Sequence, residues 1–297
     1  MKRRFVTLDV FTDRRFAGNP LAVVLDGDGL DTAAMQMIAA EFNLSETVFV
    51  QPPQDAAHRA RLRIFTPARE LPFAGHPTVG TAVLLGCRDG GGASSMVLEE
   101  TVGPVPCRVT PAGDRGEAVF DLPSLPQEMG AAPPTATLAE ALGIAKDDIG
   151  FGDFAPCCWS AGNGFTFVPV KGLDAVGRAK PNRAVFDNVL TPGGHGAVFV
   201  FTHETADAGH DFHARMFAPM MGVTEDPATG SAAAAFAGVL SRPGGLKDGR
   251  HSVTIEQGYE MGRPSLIKLG MTVQGGALTA GSIGGSAVMV SEGTIEA

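Results

Sequence analysis

An internal repeat, spaced by about half the chain, is the sequence feature that most limits the possible folds. The segment R-I-F-T-P begins at Arg63, and a similar R-M-F-A-P begins at Arg215. Downstream, His76-Pro-x-x-Gly-Thr-Ala corresponds to Asp226-Pro-x-x-Gly-Ser-Ala. A third Ala-Gly-Asn pair, at 17–19 and 161–163, keeps the same order. Three ordered matches in one chain predict two similar halves.

A change in composition near the middle of the chain predicts the domain boundary. The stretch 122–135 contains four prolines and one glycine. Such stretches are typical of connections between domains, where few contacts cross. We therefore predict an N-terminal domain over residues 1–125 and a C-terminal domain over residues 126–297.

Hydrophobic periodicity predicts a strand-rich chain with two helices in each half. Apolar, valine-rich runs are typical of strands, and residues 31–42 have the apolar spacing of a helix. The second helix of each half is predicted over Pro77–Leu85 and Pro227–Leu240. The predicted strands are Phe5–Phe11, Leu21–Leu25, Thr47–Val50, Val105–Val109, Ala118–Leu122, Ala197–Phe201, Ser252–Gln257 and Ala287–Val290.

The second helices are apolar on every side, and this pattern predicts the architecture. A helix without a polar face is enclosed by protein rather than laid on a surface. We therefore predict an α+β fold with two pseudo-symmetric domains. Each domain is expected to be a curved, mostly antiparallel sheet or barrel around a central helix.

Charge and cysteine content exclude several classes of function. The formal net charge is −9, and such a surface repels phosphate backbones, so no nucleic-acid partner is expected. No apolar run reaches the roughly 18 residues of a membrane span. The four cysteines show no paired CxxC spacing, which favours reduced thiols and a cytoplasmic protein.

The repeated His-Pro and Asp-Pro dipeptides predict the start of each central helix. Proline fits the first helical position, so we expect His76 and Asp226 at the N-caps. Small residues follow both dipeptides and leave the first-turn amides uncrowded. Unpaired N–H groups at a positive helix end bind anions. If the halves pair about a pseudo-twofold axis, both helix ends can hold one carboxylate.

Other signals for cofactors are weak. The spacing of His203, His210 and His213 matches no standard zinc site. The run Asp26-Gly-Asp-Gly29 fits neither a dinucleotide-binding fingerprint nor a P-loop. We expect no metal and no cofactor.

Several motifs, in order over nearly the whole chain, resemble the PhzF-like isomerase family of phenazine biosynthesis. They are Phe16-Ala-Gly-Asn-Pro20, Asn43-Leu-Ser-Glu-Thr47, Arg63-Ile-Phe-Thr-Pro67, Gly75-His-Pro-Thr78, Arg215-Met-Phe-Ala-Pro219, Glu225-Asp-Pro-Ala-Thr-Gly-Ser-Ala232 and Gln257-Gly with Gly262-Arg-Pro-Ser265. The resemblance implies a diaminopimelate epimerase-like fold, a homodimer, and proton transfer without metal or cofactor. It also implies that a strand near 285–297 returns to the first domain.

The resemblance assigns a role to one carboxylate and two polar side chains. Glu46 matches the catalytic carboxylate that moves a proton between substrate carbons. His76 and Asp226 match catalytic groups that line the cleft. An apolar pocket would raise the pKa of Glu46 toward neutrality, so that one carboxyl takes and returns the proton.

The same resemblance assigns substrate binding to four further residues: Gly75, Gly230, Ser231 and Asn19. The implied substrate is a small carboxylate anion, and the implied reaction type is that of trans-2,3-dihydro-3-hydroxyanthranilate isomerase.

Two alternatives remain open. Cysteine-based racemisation or epimerisation of an amino-acid-like substrate needs two opposed thiols, but the corresponding positions hold Gly80 and Ala233. A non-catalytic, ligand-binding member of the family is the second alternative, because a fold does not fix a function.

Overall fold

The computed structural model describes residues 1–189, 196–219, 223–242 and 245–297. They form two compact units. The first unit comprises Met1–Pro123 together with Ser282–Ala297, and the second comprises the described part of Ser124–Gly281. The chain thus leaves the first unit inside the proline-rich stretch and returns to it for its last residues.

The first unit contains two helices and most of the long strands. Its elements are β1 (Lys2–Val10), β2 (Asn19–Val24), α1 (Thr32–Phe42), β3 (Glu46–Gln51), β4 (Ala60–Phe65), β5 (Glu70–Leu71), α2 (Gly75–Asp89), β6 (Ser94–Glu100), β7 (Gly103–Ala112) and β8 (Arg115–Asp121).

The second unit starts with a short strand and a helix. Its elements are β9 (Gln127–Glu128), α3 (Thr135–Leu142), β10 (Cys157–Ser160), β11 (Gly164–Pro169), α4 (Leu173–Arg178), α5 (Arg183–Val189), β12 (Val198–Thr202), β13 (Phe212–Ala218), β14 (Val223–Asp226), α6 (Gly230–Ser241), β15 (Gly249–Gln257) and β16 (Ser265–Gln274). The last strand, β17 (Ala277–Glu296), is divided between the units.

Strand pairing closes the first unit into a ring. Its order is β1–β2–β3–β4–β6–β7–β8–β17, and β17 pairs with β1 again. The pairs β2–β3 and β4–β6 are parallel, and the others are antiparallel. Helix α2 packs against β1, β2, β3, β6, β7 and β8 and therefore fills the ring. Its first twelve residues are all buried, as an apolar central helix requires.

The second unit repeats this pairing scheme. Its strands β10, β11, β12, β13, β14, β15 and β16 pair as β1, β2, β3, β4, β5, β6 and β7 do, with the same parallel and antiparallel steps. Helix α6 packs against β9, β10, β11 and β16. The predicted pair of similar, mostly antiparallel units with a central helix each is confirmed.

The repeated Arg-x-Phe motif has the same structural task in both units. Arg63 donates two hydrogen bonds to Glu70, at 2.7 and 2.6 Å. Arg215 donates in the same two-pronged way to Glu225, at 2.7 and 2.9 Å. Arg215 also donates to backbone carbonyls, including that of Ala179. A planar guanidinium suits such paired bonds, so the repeated arginines brace β4 to β5 and β13 to β14.

Within the described ranges, no helix has both the length and the apolar character needed to cross a membrane.

Candidate functional site

Glu46 lies at the first position of β3, where the local sequence places it. Helix α1 ends at Asn43, which adopts a left-handed conformation (φ 51°) and donates its N–H to the Ala39 carbonyl. Asparagine tolerates this conformation better than most residues. The next strand begins three residues later, with Glu46 paired beside Leu21 of the parallel strand β2. Strands β2 and β3 therefore start at the same edge of the sheet.

The carboxylate of Glu46 faces the imidazole of His76. Glu46 Oε2 lies 3.3 Å from His76 Nε2, and the two side chains are 17% and 5% exposed. A carboxylate at the start of a strand is usually solvated, but this one is largely enclosed. The first unit thus brings together two of the predicted catalytic residues.

Asn19 completes this group from the start of β2. Its Nδ2 lies 3.4 Å from His76 Nδ1, and Asn19 is fully buried. With the amide donating to Nδ1, the ring hydrogen sits on Nε2, the ring nitrogen that lies 3.3 Å from Glu46 Oε2. Burial lowers the pKa of His76 to about 3. His76 is therefore a neutral hydrogen-bond donor at neutral pH.

The start of α2 differs from the prediction. The helix begins at Gly75 after Ala74, and no side chain caps it. His76 is therefore not an N-cap but the second helical residue, and Pro77 is the third. The N–H groups of the whole first turn have no acceptor within the helix, so a proline there costs no hydrogen bond. The prediction failed because proline is therefore tolerated at later first-turn positions as well as at the first helical residue.

A second buried carboxyl, Glu100, lies at the end of β6 and was not predicted. Thr78 Oγ1 is 2.7 Å from Glu100 Oε1 and 2.7 Å from the Ala74 carbonyl. The hydroxyl has one hydrogen, and both contacts are satisfied if protonated Glu100 donates to Thr78. Burial raises the pKa of Glu100 to about 8. No sequence motif distinguishes Glu100 from an ordinary solvated acid at a strand end.

In the second unit, Asp226 ends β14 and is 7% exposed. Its Oδ2 accepts a short hydrogen bond from the Thr229 hydroxyl. Helix α6 begins only at Gly230, so the prediction that Asp226 is an N-cap is wrong. Pro227 lies outside the helix, in the three-residue connection Pro227–Thr229 between β14 and α6.

Thr229 precedes α6 directly, yet its side chain makes no capping hydrogen bond to the helix. A threonine at this position normally accepts from a first-turn N–H. Here its hydroxyl is directed to Asp226 instead. Gly230 and Ser231 are the first two residues of α6, and Ser231 is partly exposed. Both central helices thus begin without a side-chain cap, which suits their N-termini to an anion.

The histidines of the second unit serve a different purpose. The buried carboxylate of Glu256 lies 2.7 Å from His210 Nδ1 and 2.7 Å from His213 Nδ1. The ring of His203 lies 4.8 Å from that of Phe151, tilted by 47°. Among the described residues, no group of three or more His, Cys, Asp or Glu side chains is arranged to hold a metal.

Comparison with known proteins gives consistent matches over the whole chain. The model of the phenazine biosynthesis-like protein family matches residues 8–293. An uncharacterized isomerase from Mesorhizobium japonicum is 48% identical, over 99% of this chain and 98% of its own. The trans-2,3-dihydro-3-hydroxyanthranilate isomerase of Pseudomonas fluorescens is 36% identical, over 98% of both chains.

A solved structure agrees with the fold. The Bacillus anthracis phenazine biosynthesis protein of the PhzF family superposes with a TM-score of 0.90 at 30% identity, with both chains covered completely. A hydroxyproline epimerase from Agrobacterium vitis also superposes, with a TM-score of 0.62 at 13% identity over 99% of this chain and 92% of its own. The epimerase-like fold expected from the sequence motifs is thereby confirmed.

Proposed function

The chain belongs to the phenazine biosynthesis-like protein family, and from this premise we propose that it is an isomerase that moves a proton on a small carboxylate substrate. The reaction needs no metal or cofactor. The observation that carries the proposal is the enclosed contact between Glu46 Oε2 and His76 Nε2, at 3.3 Å.

Glu46 acts as the general acid and base. Its carboxylate removes a proton from a substrate carbon and, as a carboxylic acid, returns that proton to another carbon. The carboxyl group ends the cycle as it began, so no other reactant is consumed. A positioned acid or base contributes about 10²–10⁴-fold to such a step.

His76 supplies a hydrogen bond and no proton. Its pKa, lowered to about 3 by burial, keeps the ring neutral, and Asn19 directs the ring hydrogen to Nε2. This neutral donor is assigned to the substrate, where it stabilises the negative charge that develops during the transfer. Preorganised donors of this kind are usually the larger part of catalysis.

The remaining predicted residues bind the substrate. Backbone amides at Gly75 and Gly230, at the start of two uncapped helices, are assigned to the carboxylate. Asp226 and Ser231 are assigned to its amine or hydroxyl groups, since an ionised carboxylate accepts hydrogen bonds and a serine donates or accepts them.

The first substrate to test is trans-2,3-dihydro-3-hydroxyanthranilate, because a 36% identical relative is named for it. We propose an incubation with this compound in D₂O, followed by NMR. Turnover with deuterium incorporation that requires Glu46 supports the proposal. Binding without exchange or product supports the non-catalytic alternative.

The structure does not favour the thiol alternative. Burial raises the pKa of all four cysteines, to about 12 for Cys107 and about 11 for Cys157, so none is a ready thiolate. A Cβ at Gly80 would lie 2.6 Å from Leu21 Cδ2 and 2.7 Å from Val10 Cγ2, so a side chain at this position would point into the buried core of the first unit. Alkylation with iodoacetamide is therefore expected to leave turnover unchanged.

The homodimer and the cytoplasmic location remain predictions. Light scattering after size exclusion tests the first, and fractionation of the source cells tests the second.

A further inference from the structure

We propose that Gln257 is a positioning residue: through the Thr229 hydroxyl it fixes the direction of the hydrogen bond to Asp226 and holds that side chain as an ionised acceptor. The inference deepens the proposed function and rests on it only for the role of Asp226 in binding. Gln257 belongs to a family-like motif that the proposed chemistry leaves unexplained.

Gln257 ends β15 with a side chain that is fully buried. Its Oε1 accepts the Thr229 N–H at 3.1 Å. Its Nε2 donates to the Asp226 carbonyl at 2.7 Å and to Thr229 Oγ1 at 3.0 Å. Both hydrogens of the amide are thereby used on the segment that carries Asp226.

The backbone fixes which way the amide of Gln257 points. If it were turned over, its oxygen would face the Asp226 carbonyl and its NH₂ would face the Thr229 N–H. Either contact places like groups together and leaves buried polar groups unsatisfied, at a cost of about 1–3 kcal/mol each. The NH₂ group must therefore face Thr229 Oγ1.

This orientation settles the hydroxyl of Thr229. Its oxygen accepts from Gln257, so its single hydrogen is directed to Asp226 Oδ2. A hydrogen bond donated to a carboxylate favours the charged form. The arrangement also explains why Thr229 does not cap α6, since its oxygen already accepts from Gln257 and the hydroxyl is turned toward Asp226.

The backbone after Gln257 holds the same segment. Gly258 has a φ of +77°, and a Cβ there would lie 2.6 Å from the Pro227 carbonyl oxygen. Glycine is therefore required for the close approach. The Gln257-Gly258 pair thus fixes Pro227–Thr229 by side chain and by backbone.

Other charged groups on the elements packed against this segment are engaged with one another. Arg215 on β13 is bound to Glu225 on β14. Glu256 on β15 and Glu260 after it are both bound to His213. Helix α6 has no ionisable side chain. The remaining ionisable neighbours are Tyr259 and Arg263, in the turn that follows β15.

The test is a ¹³C NMR titration of ¹³Cγ-labelled aspartate in the whole protein, with the Asp226 signal assigned from Asp226→Asn. Thr229→Val should raise the pKa of Asp226 by about one to two units. Thr229→Ser should keep the pKa of Asp226 at its wild-type value, because serine retains the hydroxyl. The control Thr224→Val, at an exposed position of β14, should leave that pKa unchanged. An unchanged titration in Thr229→Val overturns the proposal. If that variant does not fold, Thr229→Ala is judged by the same criterion.

A double-mutant cycle tests Gln257 itself. Gln257→Glu keeps the shape but accepts the Thr229 hydrogen, so it turns the hydroxyl away from Asp226. The resulting rise in the pKa of Asp226 should be larger with Thr229 present than in the Thr229→Val background, where only the added charge acts. Equal shifts in both backgrounds overturn the role of Gln257.

The titration needs no substrate, so it is independent of the proposed function. If the wild type turns over trans-2,3-dihydro-3-hydroxyanthranilate, the acid limb of its kcat/KM profile should move with the pKa of Asp226. If it does not, the substrate assignment fails while the titration still decides the role of Gln257.

Discussion

His76 Nε2 lies 3.3 Å from Glu46 Oε2, and both side chains are nearly enclosed by the first unit. The contact joins the start of β3 to the first turn of α2. It places a carboxylate beside a donor that cannot itself give up its proton at neutral pH.

Glu46→Gln should abolish turnover while the fold and ligand affinity persist. The amide keeps the shape of the side chain but cannot accept a proton, so we expect a loss of at least about 10²–10⁴-fold in kcat. Steady-state kinetics and calorimetric ligand binding measure the two effects. The exposed Glu41→Gln on α1 serves as the matched control. Substantial residual turnover would remove Glu46 from its role.

His76 should stay neutral, with its hydrogen on Nε2, between pH 5 and 7.5, because burial holds its pKa near 3. The unfolded chain takes up a proton near pH 6.5 and the folded chain does not, so stability falls as pH decreases from about 6.5 toward 3. Nitrogen-15 NMR, with the signal assigned from His76→Gln, reports the tautomer. A protonated ring at pH 6 would contradict this assignment.

Glu100→Gln should gain stability over the wild type as pH rises. Burial raises the pKa of Glu100 to about 8 from 4.5. Between these values the unfolded chain releases the proton while the folded protein retains it, so the wild type loses about 1.4 kcal/mol per pH unit. Urea unfolding at pH 5 and pH 8 measures the difference. A pH-independent difference, equal to that of Glu41→Gln, would mean that Glu100 is ionised in the folded state.

Gly238→Ala should destabilise the second unit. A Cβ at this position of α6 would lie 2.1 Å from Trp159 Cε3, in the packed interior. Overpacking of this kind costs about 1–3 kcal/mol. Trp159 is the only tryptophan of the chain, so its fluorescence follows the unfolding directly. Gly177→Ala, on α4 with no atom within 4 Å, is the control and should be neutral or slightly stabilising. Equal stability of the two variants would show that α6 can move away from β10.

The repeat and the apolar helices made the fold predictable, because both leave clear marks in the sequence. The matches at Arg63 and Arg215 signal two similar units, and a helix with no polar face can only be central. The strands themselves were less predictable. Strands β4 and β13, which contain the repeated Arg-x-Phe motif, alternate basic and apolar residues and were not predicted as strands. Their parallel partners are distant in sequence, and periodicity carries no information on such pairing.

Residues of the candidate site could be predicted only where they belong to a recognisable sequence motif. Glu46, His76 and Asn19 lie together in the structure, but only family resemblance selected Glu46. The predicted helix starts were wrong by two residues for α2 (Pro77 against the observed Gly75) and by three for α6 (Pro227 against the observed Gly230). Proline is tolerated at several first-turn positions, so it does not fix the first residue of a helix. Glu100 was missed, and Thr229 and Gln257 lie in the quoted motifs but received no role. Their importance comes from burial and hydrogen-bond direction, which the sequence does not display.

The return of β17 to the first unit sets an order of events during synthesis. Until residues 282–296 leave the ribosome, β1 and β8 remain open edges that can pair with other nascent chains. At roughly 5–20 residues per second, the interval after β8 has emerged lasts about 10–30 s. The unit that is synthesised first is therefore the last to be completed, since its ring of strands closes only with β17.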